Sequence, residues 1–305
     1  MAITAAMVKE LRDKTGAGMM DCKKALNEND GDIEAAIDWL RKKGIAKADK
    51  KASRVAAEGL VAVATDGNKG VAVEVNSETD FVARNEIFQA AVAKIAQRGL
   101  DMDSSDALAD AELEGGKSVK EYLTELVGKI GENMSFRRME SLSVSEGVVS
   151  SYIHNAVATD MGKIGVLVAL ESSGDKAALG ELAKKIAMHV AATAPLANTV
   201  EDLDAAIVSK EREMLKAEAL ESGKPEAIVD KMVEGRMQKF FKESVLATQV
   251  FVMDGERTIE TVLADESKTL GADIKLAGFV RMAVGEGIEK KEENFAEEVA
   301  AAVAG

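Results

Sequence analysis

Residues Gly70 to Asp80 read GVAVEVNSETD, and residues Gly165 to Asp175 read GVLVALESSGD, so the second stretch repeats the first 95 residues later. Each copy starts with an apolar run rich in β-branched residues, which predicts a buried strand. A further strand candidate precedes each copy, and an amphipathic helical pattern follows it. The duplicated hairpin and helix predict an α+β core of two pseudo-symmetric subdomains with antiparallel sheets.

Further predicted strands and helices extend both copies of the repeat. A turn at Asp66–Asn68 closes the first hairpin. The strands and helices predicted for the two copies are strands 60–64, 71–75 and 134–142 with helices 87–97 and 119–130, then strands 148–154, 166–170 and 278–284 with helices 179–190 and 258–268.

The first copy continues into a connection that the second copy lacks, reading NSETDFVARN from Asn76 to Asn85. Several of its polar side chains can cap a helix or close an Asx turn, namely Asn76, Ser77, Thr79 and Asp80. Phe81 differs from its neighbours because it is a large apolar ring on a loop. It either fills the core or projects into a partner. Since the second connection has only Ser-Ser-Gly-Asp, the extra phenylalanine indicates a specialised task for the first.

Residues 1–44 read as three short helices, with a glycine-rich turn at Thr15–Gly18 and Gly44 as the predicted stop of the third. This pattern favours a ubiquitin-associated-like bundle that binds proteins. The Gly-Ala-Gly turn weakly resembles a phosphate loop, but it follows a helix rather than a strand. Asn29–Asp32 resembles part of a calcium loop, yet the first ligand position falls on Leu26, which cannot coordinate a cation.

Two long charged helices joined by a turn, with Pro225 at the start of the second, predict an antiparallel hairpin, or coiled coil, inserted in the second subdomain. Their predicted apolar stripes contain Leu203, Ile207, Met214 and Ala217, then Ile228, Met232 and Phe240. The predicted division is a bundle at 1–44, a basic linker at 45–58, the first subdomain at 59–142, the second at 143–198 and 244–284, the hairpin at 199–243, and a C-terminal module with a short helix (295–303) at 285–305.

Composition limits the function. Among 305 residues there is one cysteine, so no internal disulfide can form, and we expect a reducing, cytoplasmic location. No apolar run is long enough to span a membrane, and the N-terminus lacks a signal peptide's apolar segment. Residues 1–55 hold 12 Lys and Arg against 9 Asp and Glu, a net charge of +3. Since the whole chain carries −14, the remaining residues carry −17. An acidic body repels phosphate backbones, so protein partners are favoured over nucleic acid.

Little in the sequence supports catalysis. The chain has two histidines, of which His189 is expected to be partly buried or on a helix surface, and His154 lies at the end of a strand. A Cys22–His154 nucleophile pair is conceivable, but Cys22 shares an apolar helix face with Leu26. No motif for a phosphate loop, zinc site, nucleophile elbow or dinucleotide site is present. We predict no enzyme, no cofactor and no metal.

Three motifs closely resemble bacterial elongation factor Ts. They are TGAGMMDCKKAL (Thr15–Leu26), EVNSETDFVARN (Glu74–Asn85), and SGKP with MVEGRM (between Ser222 and Met237); the ending VGEGIEK (Val284–Lys290) agrees as well. The resemblance spans the chain. It implies a guanine-nucleotide exchange factor for the translational GTPase elongation factor Tu.

The resemblance also implies roles for single residues. Thr79, Asp80, Phe81 and Val82 match the family's TDFV motif, which is associated with displacing the GTPase's magnesium site. Met19, Met20 and His154 become further partner contacts, although the methionines could instead form the bundle core. The helical hairpin could pair with a second copy. Two alternatives stay open: a protein-binding module without exchange activity, and an enzyme that uses Cys22 or His154.

Overall fold

The computed structural model describes residues 3–221 and 226–289. Its helices and strands in chain order are α1 (Ala5–Thr15), α2 (Met19–Glu28), α3 (Ile33–Asp49), β1 (Glu58–Asp66), β2 (Lys69–Ser77), α4 (Asp80–Ala83), α5 (Glu86–Gly99), α6 (Ser105–Asp110), β3 (Glu112–Glu114), β4 (Lys117–Ser118), α7 (Val119–Ile130), β5 (Met134–Ser143), β6 (Gly147–Ala158), β7 (Met161–Glu171), α8 (Lys176–Thr193), α9 (Ala205–Glu221), α10 (Glu226–Ser244), α11 (Ile259–Leu270) and β8 (Lys275–Ala283). A 3-10 turn covers Leu246–Thr248. The α+β prediction is confirmed.

Helices α1–α3 form the predicted bundle around buried Leu11, Cys22 and Leu26. Thr4 caps α1, and Gly16 ends it in the left-handed region with φ +66°. Cys22 is therefore a packing residue.

The predicted stop of the third helix at Gly44 is wrong, because α3 continues to Asp49. Gly44 lies where α3 crosses α7. A Cβ atom on Gly128 of α7 would lie 3.1 Å from the Cα of Gly44. The absence of a side chain on Gly128 therefore allows the backbones of α3 and α7 to approach closely. The first part of the predicted linker is helix.

One antiparallel sheet with the order β5-β2-β1-β7-β6 forms the core. Strand β1 pairs only with the start of β7, and β8 pairs with the rest of β7 along the same edge. Helix α5 packs on β1 and β2, and α8 packs on β6 and β7. The sheet curls. Val71, Val73 and Val75 of β2 face the cluster under α5, whereas Ala72 faces a cluster shared with Leu167 of β7. The two halves of this curled sheet thus pack face to face, with α5 and α8 on the outside.

The predicted two-fold pseudosymmetry is visible in the strand register. Val61 pairs with Glu74 in the first hairpin, and the corresponding Val149 pairs with Ala169 in the second. In the contact between the two halves, a glycine of each half lies against a valine of the other. A Cβ on Gly70 would lie 2.7 Å from Val149 Cγ1, and one on Gly165 would lie 2.5 Å from Val61 Cγ1. Any larger residue at these positions would separate the repeats.

Helices α9 and α10 pack on each other as the predicted hairpin, but the predicted apolar faces are only partly correct. Ile207, Met214 and Ile228 are exposed. The buried contacts come from the neighbouring rows Leu215, Ala219, Val229, Val233 and Met237. Of the predicted residues, Met232 and Phe240 pack against this cluster, and Leu203 is buried in an adjacent one.

Three sequence features lie outside the described residues: the turn at 223–225, the C-terminal helix at 295–303 and most of the predicted C-terminal module. Within the described residues, no helix is both long and apolar enough to cross a bilayer.

Candidate functional site: an exposed loop between β2 and α5

The connection from β2 to α5 contains a single helical turn, α4, which the sequence analysis described only as a loop. Asn85 follows α4, and its Oδ1 accepts hydrogen bonds from the N–H groups of Ile87 (2.9 Å) and Phe88 (3.2 Å). Asn85 is thus the cap of α5. Asn76, expected as a cap or turn residue, is instead buried in the sheet and donates to the Glu58 carbonyl at 3.2 Å.

Phe81 projects from this turn. Its side chain is 76% exposed, whereas the adjacent Val82 is only 4% exposed and belongs to the cluster under α5. Ala83 is buried in the same cluster. Of the two possibilities for Phe81, filling the core or projecting outwards, the structure has the second. The turn is fixed from below while its largest apolar side chain faces solvent.

The polar members of the TDFV motif have different surroundings. The Asp80 carboxylate is exposed and lies 4.0 Å from the guanidinium of Arg84, a contact that contributes little at the surface. Thr79 is fixed: its N–H donates to Glu132 Oε2 at 3.0 Å, and its hydroxyl donates to Glu132 Oε1 at 2.7 Å. The Ser77 hydroxyl donates to the Thr79 carbonyl at 2.9 Å. The motif therefore has one rigid end and one exposed charge.

Below the loop, strand β2 carries a buried carboxylate that the sequence analysis missed. Glu74 is fully buried, and Arg137 and Arg138 donate to it at 3.0 and 2.7 Å. The N–H of Gly285 donates to it at 2.7 Å, as does the Asn76 amide at 3.0 Å. Burial raises the pKa of Glu74, but the hydrogen bonds from Gly285, Asn76 and the two arginines outweigh it and leave the pKa below its usual value. The sequence signal for this buried carboxylate was a glutamate inside an apolar, valine-rich strand.

The bundle methionines named as partner contacts are at the start of α2. Met19 is 60% exposed and Met20 77% exposed. The alternative that they form the bundle core is therefore wrong. Both face solvent and are free to contact another protein.

His154 is exposed on β6, and its Nδ1 lies 3.3 Å from the hydroxyl of Tyr152. Strand β7, the partner of β6 in this hairpin, begins at Met161, which is buried in the same cluster as Val82. The β6–β7 hairpin and the turn that carries Phe81 therefore both contact this cluster. Among the described contacts, none joins either side chain to Met19 or Met20, so the proposed contacts occupy separate elements.

His189 was expected to be partly buried or on the helix surface, and the structure buries it fully. Its Nδ1 accepts a hydrogen bond from the Val252 N–H at 3.3 Å, which makes Nε2 the protonated nitrogen that donates to Gln249 Oε1 at 2.9 Å. Burial lowers the pKa of His189, and the bond to Gln249 only partly offsets this effect. His189 is a structural residue that links α8 to the segment after α10.

The conceivable Cys22–His154 pair is not assembled. Cys22 is buried in the bundle, and burial raises the pKa of its thiol. His154 lies on a core strand. Across residues 3–221 and 226–289, we find no cluster of three or more His, Cys, Asp or Glu side chains able to hold a metal ion.

Comparison with known proteins agrees with the predicted resemblance. The sequence model of the family described as "Elongation factor TS" matches residues 78–286. The chain belongs to the elongation factor Ts family. Elongation factor Ts of Caulobacter vibrioides is 59% identical over 98% of this chain and 97% of its own length. The elongation factors Ts of Maricaulis maris (61%, 98% and 98%) and Brucella anthropi (58%, 100% and 100%) are equally similar. The predicted resemblance is confirmed over the whole chain.

Proposed function

We propose that this chain is the guanine-nucleotide exchange factor for elongation factor Tu, and that it acts in the cytoplasm without covalent chemistry. Membership of the elongation factor Ts family supports the partner and the exchange role. The observation that carries the mechanism is Phe81, 76% exposed on a turn whose neighbours are buried. An apolar side chain presented in this way suits insertion into a pocket of another protein.

In this mechanism the segment Thr79–Val82 enters the partner beside its Mg²⁺ and phosphate site. GTPases hold GDP through the metal ion and the phosphate-binding loop. Phe81 fills an apolar pocket, and the Asp80 carboxylate brings negative charge next to the metal and phosphates. Val82 anchors the turn in the core. The inserted loop stabilises the nucleotide-free partner, and by reciprocity bound GDP weakens the complex equally.

The size of the effect calls for more than one contact. A thousandfold faster release requires about 4 kcal/mol of differential stabilisation. Burying one phenylalanine supplies about 1.5–3 kcal/mol. Asp80, His154 and the bundle methionines Met19 and Met20 supply the remainder, while the bundle and the C-terminal module hold the partner at other points.

The proposed activity is tested by stopped-flow release of a fluorescent GDP analogue from elongation factor Tu. Substoichiometric amounts of this chain should accelerate release, and added GDP should dissociate the binary complex. Failure to accelerate release would refute the exchange role.

The alternative of a binding module without exchange activity rests on the exposed Met19 and Met20 of the bundle. Deleting residues 1–44 separates the two functions. Retained binding to elongation factor Tu by the truncated chain would count against the alternative. Self-association through the hairpin would use the exposed Ile207, Met214 and Ile228, and a concentration-dependent mass in analytical ultracentrifugation would reveal it.

A further inference from the structure

We infer that Glu132 is a positioning residue for the partner-facing loop: it holds Thr79 so that Phe81 is presented in one orientation. This inference rests on the proposed function of the loop. It concerns a residue outside the TDFV motif, 53 positions away from Thr79 in sequence.

Glu132 uses both carboxylate oxygens on one residue. Oε2 accepts from the Thr79 N–H at 3.0 Å, and Oε1 accepts from the Thr79 hydroxyl at 2.7 Å. Hydrogen bonds to an ionised acceptor are stronger than neutral ones, and the two together fix direction as well as distance. Gly131 ends α7 in the left-handed region with φ +94°, and this sharp turn directs Glu132 towards the loop.

The same two segments also contact each other in the reverse sense. The Asn133 N–H donates to Glu78 Oε1, so each segment supplies a carboxylate to the other's backbone. The segment after α3 adds two further hydrogen bonds. The Asn133 amide donates to the Arg54 carbonyl at 2.8 Å, and Lys51 donates to the Gly131 carbonyl. We call residues 78–79, 131–133 and 51–54 the clasp.

The turn α4 needs such support. It has four residues, and its N-cap Thr79 makes no side-chain bond to the helix itself. A single helical turn is not stable alone. Val82 and Ala83 hold its inner side through burial, whereas the clasp holds its start. Without Glu132, Phe81 would have to be ordered during insertion, and the entropy of ordering would oppose the transition state.

The decisive experiment compares GDP release from elongation factor Tu with wild type, Glu132→Ala, Phe81→Ala and the double variant. Glu132→Ala should lower the maximal acceleration roughly tenfold, with a smaller change in the half-saturating concentration, as expected when positioning is lost. If Glu132 acts through Phe81, the double variant should be no slower than Phe81→Ala alone. Multiplied losses in the double variant would overturn the inference.

Three further variants test the geometry. Thr79→Ser keeps the hydroxyl donor to Glu132 and Thr79→Val removes it, so Thr79→Val should release GDP more slowly than Thr79→Ser does and should fall between Thr79→Ser and Glu132→Ala. Glu125→Ala is the matched control, because Glu125 lies on α7 but pairs with Lys117 at 2.7 Å. A loss of exchange in this control equal to that of Glu132→Ala would refute a specific role.

A second readout needs no partner. The Arg84 side chain is 75% exposed just after the turn, so tryptic cleavage after Arg84 under native conditions reports local opening. Glu132→Ala should increase that cleavage several-fold at an unchanged global unfolding midpoint, and an unchanged rate would overturn the inference. If instead Phe81→Ala leaves GDP release unaffected, the proposed function of the loop is wrong. Normal exchange by Glu132→Ala beside slow exchange by Phe81→Ala would refute only the positioning role.

Discussion

Phe81 and Val82 are neighbours in sequence with opposite environments, one 76% and the other 4% exposed. We therefore expect Val82→Ala to reduce the free energy of unfolding by about 2 kcal/mol, because it leaves a cavity in the cluster under α5. Phe81→Ala should change it by no more than about 0.5 kcal/mol. Urea denaturation followed by circular dichroism measures both values, and equal losses would contradict the division of roles.

The crossing of α3 and α7 gives a prediction with its own control. Gly128→Ala places a Cβ 3.1 Å from the backbone of Gly44, which cannot rotate away as a side chain can. We expect a loss of about 1 kcal/mol in the free energy of unfolding. Gly44→Ala meets no atom within 4 Å and should be neutral or stabilising by up to about 1 kcal/mol. Thermal unfolding of the two variants tests this difference, and stabilisation by both would contradict it.

His189 should make the protein sensitive to mild acid. Burial lowers its folded-state pKa, so the unfolded chain binds the proton more tightly. Its contribution to stability is therefore fully present above the unfolded value, about 6.5, and is lost as pH falls towards the folded pKa. With only two histidines, NMR titration resolves both, and His154→Gln assigns the signals. A His189 signal that titrates at or above about 6.5 would contradict the buried, neutral ring.

Glu74 should contribute at lower pH. Its hydrogen bonds leave the folded-state pKa below the usual value, so its contribution is present above the unfolded value and is lost as pH falls towards the folded one. Glu74→Ala should reduce the free energy of unfolding by about 2–3 kcal/mol at neutral pH, because it leaves buried partners unpaired. Arg137 and Arg138 retain partial exposure, which limits the cost. Denaturation at pH 7 and pH 4 should show a smaller difference between variant and wild type at pH 4.

The repeat of Gly70–Asp80 at Gly165–Asp175 was sufficient to predict the core, because period-two burial and a shared register leave a strand few alternatives. The same reasoning failed where tertiary contacts decide. Gly44 has the local signature of a helix stop, yet α3 continues through it to Asp49 and packs on α7, which lies far along the chain. The inner face of the hairpin was predicted only in part, because Met232 and Phe240 pack inside whereas Met214 and Ile228 are exposed.

The residues at the candidate site also differ in whether the sequence alone could identify them. Phe81 was conspicuous as an aromatic residue on a connection, so the sequence identified it as the candidate. Glu132 could not be found, because a glutamate in an acidic chain gives no local signal and its partner Thr79 is distant in sequence. The buried positions of Glu74 and His189 likewise depend on elements that only the fold brings together.

Nucleotide exchange should depend on Phe81 itself rather than on exposed apolar side chains in general. Ile87, 54% exposed at the start of α5, provides the matched control. In stopped-flow GDP release from elongation factor Tu, Phe81→Ala should slow the accelerated release at least about tenfold, the equivalent of about 1.4 kcal/mol, while Ile87→Ala stays within about twofold of wild type. Full acceleration by Phe81→Ala would show that exchange does not depend on Phe81.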